Sequence, residues 1–200
     1  RKDDFCVTGG DDGYAKVWDT REKKSVKSIS HMFPVTAVAF DDTSNYVFTG
    51  SIDNLIRCWD IRNLDKEHFV LAGHTDTITS LRLDPYGSYL LSNSMDDFLR
   101  VWDVRPYAPE QRCIKIFQGA SHNFESSLIK ANWGSNGAMV GSGSADRHVY
   151  IWDTTSKEIK YRLPGHKGTV NEVDFHPNEP IIASCGTDKN IYVGEIEPYQ

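Results

Sequence analysis

A tryptophan followed by an aspartate recurs along this chain at Trp18-Asp19, Trp59-Asp60, Trp102-Asp103 and Trp152-Asp153, and Gly194-Glu195 stands where a fifth pair would fall. The intervals are 41, 43, 50 and 42 residues. A period of this size constrains a fold more than composition does, because each repeated unit buries its apolar faces only against its neighbours. The repetition extends beyond the pair. An aspartate lies six positions before each tryptophan or its fifth equivalent (Asp12, Asp53, Asp96, Asp146, Asp188), and a hydroxyl lies four positions earlier still (Thr8, Thr49, Ser92, Ser142, Ser184). Upstream come His31, His74, His122 and His166, of which His74 and His166 follow glycine directly.

This recurrence bears on a question of chemistry. The stretch "GSADRHVYIWDTT" (143–155) sets Asp146, Arg147 and His148 between a serine and Trp152-Asp153. Ser, His and Asp can form a hydrolytic triad, but only through convergent geometry, not nearness in sequence. A catalytic site is built once per chain, whereas this arrangement returns in each repeat, so it reads as a structural device. His148 has no counterpart in the other copies and reads as a surface side chain at the start of a strand. The "GSGS" at 141–144 has no following Lys-Ser/Thr and no helix, so it is not a phosphate-cradling loop.

With 39% hydrophobic and 12% aromatic residues among 200, the chain can bury a sizeable core. Its net charge of -6 gives no electrostatic reason to bind nucleic acid directly. The most basic stretch, "REKKSVK" (21–27), reads as a solvated strand edge. Cys6, Cys58, Cys113 and Cys185 lack CxxC spacing and read as buried thiols, with no metal or other cofactor implied. No signal peptide, spanning apolar run or N-x-[ST] sequon occurs, and the expectation is a soluble intracellular protein.

Within a repeat, short apolar runs alternate with turn residues. "VTAVAF" (35–40), "YVFTGS" (46–51), "LIRCWDI" (55–61) and "FVLAG" (69–73) make a four-stranded antiparallel meander, and "ITSLRL" (78–83) opens the next. Strands such as "VYIW" (149–152) are apolar on both faces and must be covered on both. Sheets stacked radially as blades satisfy this, so the expected fold class is an all-β propeller. The chain strongly resembles the WD-repeat propeller family, with repeats at about 1–30, 31–73, 74–119, 120–165 and 166–200. That resemblance implies a hydrogen-bonded Asp-His-Ser/Thr-Trp network inside each blade. It is carried over to His31, Thr49, Asp53 and Trp59; to His74, Ser92, Asp96 and Trp102; and to His122, Ser142, Asp146 and Trp152. The fifth copy keeps His166, Ser184 and Asp188 but has Gly194 in place of the indole donor. Because the first copy begins at a second strand and the last ends at a third, the expectation is the C-terminal five blades of a seven-bladed ring.

The longest interval holds an insertion, "VRPYAPEQRCIKIFQGASHNFE" (104–125). Together with "GSYLLSNSMDD", "LPGH" and "NEVDFHPNEPIIASCGTDK", it is similar to the WD-repeat proteins of the spliceosomal U5 small nuclear ribonucleoprotein. This resemblance implies a nuclear, non-catalytic scaffold in pre-mRNA splicing, beside that particle's large scaffold protein, helicase and GTPase, with RNA contact at most indirect. Candidate contacts on one rim are Phe33, Asp76, Phe124 and Lys167 from the loops leading into repeats, and Ile52 and Met95 before the turn aspartates; Tyr107 lies on the opposite rim. Trp-Asp-x-Arg at Arg21, Arg62 and Arg105 raises a second reading, docking as a substrate receptor on the adaptor of a cullin-type ubiquitin ligase. Its plainer alternative is a surface pair with a nearby carboxylate.

Overall fold

A computed structural model describes residues 4–123 and 127–196. Five antiparallel sheets follow one another along the chain. The first holds β1 (Phe5–Gly9), β2 (Tyr14–Asp19) and β3 (Ser25–Ser30); the second β4 (Val35–Phe40), β5 (Tyr46–Ser51), β6 (Ile56–Asp60) and β7 (Phe69–Leu71). The third holds β8 (Ile78–Leu83), β9 (Tyr89–Ser94), β10 (Leu99–Asp103) and β11 (Cys113–Phe117). The fourth holds β12 (Ala131–Trp133), β13 (Met139–Ser142), β14 (Val149–Asp153) and β15 (Ile159–Leu163). The fifth holds β16 (Val170–Phe175), β17 (Ile181–Gly186) and β18 (Ile191–Glu195). Each is a meander in which neighbours in sequence are neighbours in the sheet.

Strands apolar on both faces are explained by the four cores that lie between successive sheets. Val17, Val47 and Trp59 pack between the first and second sheets, and Phe48, Leu81 and Trp102 between the second and third. Leu91, Val140 and Trp152 fill the next interval, and Met139, Ile151 and Val173 the last. Trp102 and Trp152 are almost wholly buried, and truncating such a side chain to Ala typically costs about 3–5 kcal/mol. Sheets approach closely where a glycine follows the repeated hydroxyl. A Cβ on Gly50 would lie 2.5 Å from Ile78 Cγ2, and one on Gly143 would lie 2.1 Å from the Val170 carbonyl oxygen.

The first strand of each complete sheet lies beside that of the next. Thr36 Oγ1 donates to the Ile78 carbonyl at 2.5 Å, Ser80 Oγ to the Ala131 carbonyl at 3.4 Å, and Lys130 N–H to the Asn171 carbonyl at 2.8 Å. Arg82 on β8 reaches Glu172 on β16 at 3.4 Å, so these strands curve round a common axis. Turns between second and third strands therefore open on one rim with the loops leading into each sheet. The β10–β11 insertion opens on the other.

One detail differs from the expectations above. Of the four thiols only Cys58 is buried, and burial pushes its pKa up to about 12; Cys6 is exposed on β1, where no further sheet covers it. The fifth sheet presents β18 to solvent, with Ile191, Tyr192 and Val193 all exposed.

Candidate functional site: turn networks and two rims

All five turns between second and third strands share one local geometry. The turn aspartate accepts a hydrogen bond from the backbone N–H two residues on: Asp12 from Tyr14 (3.1 Å), Asp53 from Leu55 (3.3 Å), Asp96 from Phe98 (3.1 Å), Asp146 from His148 (3.2 Å) and Asp188 from Asn190 (3.1 Å). These are Asx turns, and each places its next residue in the left-handed region, at Gly13, Asn54, Asp97, Arg147 and Lys189.

In the third sheet four side chains form one chain of donors and acceptors. Trp102 Nε1–H donates to Ser92 Oγ (2.8 Å), Ser92 Oγ to His74 Nε2 (2.7 Å), and His74 Nδ1–H to Asp96 (2.8 Å). A neutral, Nδ1-protonated ring satisfies both of its contacts. Burial drives the His74 pKa down, against the pull of Asp96. For Asp96 burial favours the neutral acid, yet hydrogen bonds from His74, Thr75 N–H and Phe98 N–H prevail and its pKa falls. The fifth sheet repeats this without the indole: Ser184 Oγ donates to His166 Nε2 (2.9 Å), and His166 Nδ1 lies 3.1 Å from Asp188. A Cβ on Gly194 would meet nothing within 4 Å, so that place is open.

The other sheets depart from the expected network, and three assignments are corrected. His31 makes no hydrogen bond through Nε2 and stands edge-on to Trp59, ring centroids 5.3 Å apart. His122 has neither buried ring nitrogen hydrogen-bonded, its nearest carboxylate being Asp97 at 3.4 Å. Trp152 Nε1–H donates to the Gln118 carbonyl (2.9 Å) instead of Ser142, whose hydroxyl turns to the Gly143 carbonyl (2.9 Å).

Register supplies the reason. Ile29, Leu71, Phe117 and Leu163 occupy equivalent places, paired with Ala15, Ile56, Leu99 and Val149, each three residues after a turn aspartate. Two residues beyond them come His31, Gly73, Gly119 and Gly165; three beyond come Met32, His74, Ala120 and His166. His31 is thus one position early and His122 two positions late. Met32 and Ala120 hold the places from which a ring would reach inward.

Where the ring is missing, the residue four after the aspartate takes the carboxylate. Arg57 donates from both terminal nitrogens to Asp53 (3.1 and 2.6 Å), Tyr150 O–H donates to Asp146 (2.7 Å), and Lys16 sits 3.4 Å from Asp12. Arg162 also reaches Asp146 at 3.0 Å. Burial of Asp53 and Asp146 opposes ionisation, but the Arg57 guanidinium beside the first and the Tyr150 hydroxyl on the second hold both carboxyls below their usual range. The residues at 16, 57 and 150 were the missed members of the networks. The Gly-His dipeptide was the sequence signal separating the two kinds. Thr49 and Thr8 keep their indole bonds, from Trp59 and Trp18, both at 2.9 Å.

His148 donates nothing to a catalytic partner: its Nδ1 lies 2.8 Å from the Asp146 carbonyl. Among the described residues no three His, Cys, Asp or Glu side chains are grouped to hold a metal ion. On the rims, Phe33 and Ile52 are exposed, Met95 is half-buried, Asp76 and Lys167 are exposed, and Tyr107 is almost fully solvent-facing. Phe124 lies outside the described residues. Met32, not singled out in the sequence, is 95% exposed beside Phe33. Arg21, Arg62 and Arg105 each fold back on the aspartate of their own Trp-Asp pair, with shortest N···O distances of 2.7, 2.7 and 2.5 Å.

Five meander sheets with recurrent Trp-Asp pairs and turn carboxylates define a repeat scaffold, and the chain belongs to the WD domain, G-beta repeat family, which it matches over residues 2–19, 23–60, 65–103, 111–153 and 157–193. Within that class it is similar to the U5 small nuclear ribonucleoprotein 40 kDa protein of Dictyostelium discoideum, 62% identical over 97% of this chain and 55% of that protein. The human protein of the same name is 53% identical over 96% of this chain and 54% of its own length. The pre-mRNA-splicing factor cwf17 of Schizosaccharomyces pombe is 50% identical over 96% and 56%. The chain thus spans about half the length of the curated relatives it matches.

Proposed function

We propose that this chain acts as a non-catalytic protein-interaction scaffold in pre-mRNA splicing, in the nucleus, as a component of the U5 small nuclear ribonucleoprotein. The observation carrying this reading is the identity of 50 to 62% along almost the whole chain with proteins named for that particle or for splicing. The site geometry agrees with it: the turn carboxylates hold loops in place, and the two Ser-His-Asp chains, Ser92-His74-Asp96 and Ser184-His166-Asp188, are buried and recur from one sheet to another, as a structural device does. The partners are the particle's large scaffold protein, helicase and GTPase, and any RNA association runs through them. The candidate contacts Phe33, Ile52, Asp76, Met95, Phe124 and Lys167 serve on one rim and Tyr107 on the other. In this reading the five sheets belong to a ring of seven blades, which is supported by the chain spanning 55% of its Dictyostelium relative and by the edge of β18, where an outer strand would pair. The ubiquitin-ligase alternative lacks support, since each Trp-Asp-x-Arg arginine is spent on its own aspartate.

The test is recovery of the full-length protein from nuclear extract. U5 RNA and large protein partners are expected with it, and the RNA is expected to be lost when those partners are stripped away. Polar substitution of Met95 and Phe124 should weaken recovery, while Arg62→Ala with Arg105→Ala should leave it unchanged. A ligase adaptor recovered without spliceosomal RNA, and lost in the double arginine variant, overturns the reading.

A further inference from the structure

Three exposed cations lie on adjoining loops of one rim, across the fourth and fifth sheets. Arg147 is in the β13–β14 turn, Lys167 in the loop leading into β16, and Lys189 in the β17–β18 turn. The loops are tied together through their backbones. Val170 N–H donates to the Ser144 carbonyl (3.0 Å), Thr187 N–H to the Thr169 carbonyl (2.8 Å), and Lys167 N–H to Asp188 Oδ2 (2.9 Å). The anions between them are already committed: Asp146 to Tyr150 and Arg162, Asp188 to His166 and two backbone N–H groups. None of the three basic side chains takes part in an ion pair or hydrogen bond among the described residues. Eight other cations among the described residues are ion-paired, Arg21, Arg57, Arg62 and Arg105 among them. A chain of net charge -6 thus carries, on this rim segment, three exposed cations that form no ion pair among the described residues.

Two of these cations sit where the backbone does not favour them. The left-handed place after the turn aspartate holds glycine, asparagine and aspartate in the first three sheets, the residue types that tolerate it, but Arg147 (φ 71°) and Lys189 (φ 63°) in the last two. Fold stability alone would select Gly or Asn there. Strained positions cluster at binding sites among other places, and Lys157 (φ 65°) shows that the conformation also occurs off this rim.

We propose that the rim formed by Arg147, Lys167 and Lys189 is a docking surface for an acidic segment of a protein partner. This deepens the scaffold reading by naming a surface and the chemistry it accepts. Carboxylates of an extended segment complement three cations on tied loops, and they draw no help from stacking. Single-stranded nucleic acid needs aromatic platforms beside its cationic track, and among the described residues the nearby rings offer none: Tyr192, partly exposed, stands edge-on to His166 at 4.6 Å, and Tyr150 is buried with its hydroxyl on Asp146.

The test measures fluorescence anisotropy of a labelled decaglutamate peptide with the purified chain at low salt, beside a labelled decauridylate. Arg147→Asn, Lys167→Gln and Lys189→Asn are combined in one variant. Lys23→Gln, Lys24→Gln and Lys27→Gln form a charge-matched control on the first sheet. Exposed ion pairs are individually weak, so the loss of three should weaken peptide binding by about tenfold, with the control within about twofold of the parent. Because Asn tolerates the left-handed place, the rim variant should melt no lower than the parent, which separates lost binding from lost folding. Equal loss in rim variant and control, or no measurable peptide binding by the parent, overturns the proposal. So does decauridylate binding that is tighter than peptide binding and lost in the rim variant. The assay contains no ribonucleoprotein, so it can fail while recovery of U5 RNA succeeds, and the reverse.

Discussion

Arg57 closes a two-pronged salt bridge on Asp53, its terminal nitrogens 3.1 and 2.6 Å from the two carboxylate oxygens. In the third sheet the equivalent aspartate, Asp96, receives the ring of His74 instead. The same anion at the same turn is thus held in two ways, by an ion pair or by the hydrogen bond of a neutral ring, and the choice is made by residues from different strands. A histidine works from the preceding loop and links the turn to the sheet interior through a serine. An arginine four residues on works within its own hairpin and leaves the threonine hydroxyl, which still accepts from the Trp59 indole, to donate only over 3.5 Å to the Arg57 carbonyl.

The turn aspartates should therefore differ in their contribution to stability. Asp96→Ala strands the buried His74 ring and Thr75 N–H, and a loss of about 2–3 kcal/mol is expected in urea unfolding. Asp146→Ala should cost about 1–2 kcal/mol, since its side chain is 29% exposed and water replaces part of what is lost. Asp12→Ala should change stability by less than about 0.5 kcal/mol, its carboxylate being 55% exposed. An equal loss in all three would refute the division into two networks.

Acid should destabilise this fold before the carboxylates titrate. Burial lowers the pKa of His31, His74 and His122 in the folded chain. Each then binds a proton more readily when unfolded, so stability is full above the unfolded value of about 6.5 and declines as pH falls below it. Asp96, also depressed, adds a further loss below about pH 4. Urea midpoints from pH 7.5 downward check the sign. His122→Leu removes two unpartnered buried nitrogens; it should stabilise by about 1 kcal/mol and reduce the slope between pH 7 and 5. A midpoint that rises on acidification contradicts the assignment.

The register argument can be tested by moving a side chain one position. His31→Gly with Met32→His recreates in the second sheet the Gly73-His74 arrangement of the third. The new ring should reach Thr49 and Asp53 and compete with Arg57 for the carboxylate. A double-mutant cycle with Arg57→Ala should then show a coupling of about 1 kcal/mol, the swap stabilising more when the arginine is gone. Additivity within about 0.3 kcal/mol would mean that the ring never arrives.

The 200-residue chain should self-associate through its last strand. Among the described residues β18 pairs only with β17 and exposes Ile191 (75%), Tyr192 (43%) and Val193 (69%), an apolar strand with an open edge. Sedimentation velocity should show concentration-dependent species. Ile191→Lys with Val193→Lys should return the chain to monomer, and a parent that is monomeric at high concentration defeats this.

Much of the architecture was legible because it is periodic. Trp-Asp spacing and short runs of β-branched residues sufficed for five meander sheets, and β4, β5 and β8 occupy 35–40, 46–51 and 78–83 as read from the residues alone. The turn aspartates were legible too, because an Asx turn is a local event that needs only the aspartate and an N–H two residues away. The network partners were less so, since a histidine 22 positions upstream reaches its aspartate only if the intervening strands align it.

By itself, then, the sequence determined the repeat, the fold class and the turn positions, all set by interactions within a few residues or by a pattern that recurs. Tertiary structure alone decided which histidine ring meets which carboxylate. His122 lies in its own repeat near where a network histidine is expected, yet strand register leaves Ala120 in that place and sends the Trp152 indole to Gln118. The cations at 147, 167 and 189 are scattered in sequence and share a rim only because hydrogen bonds between adjacent loops, tens of residues apart along the chain, hold their turns together. Side-chain pairing across sheets depends on register and on the distance between loops, and neither is encoded at the position of the residue itself.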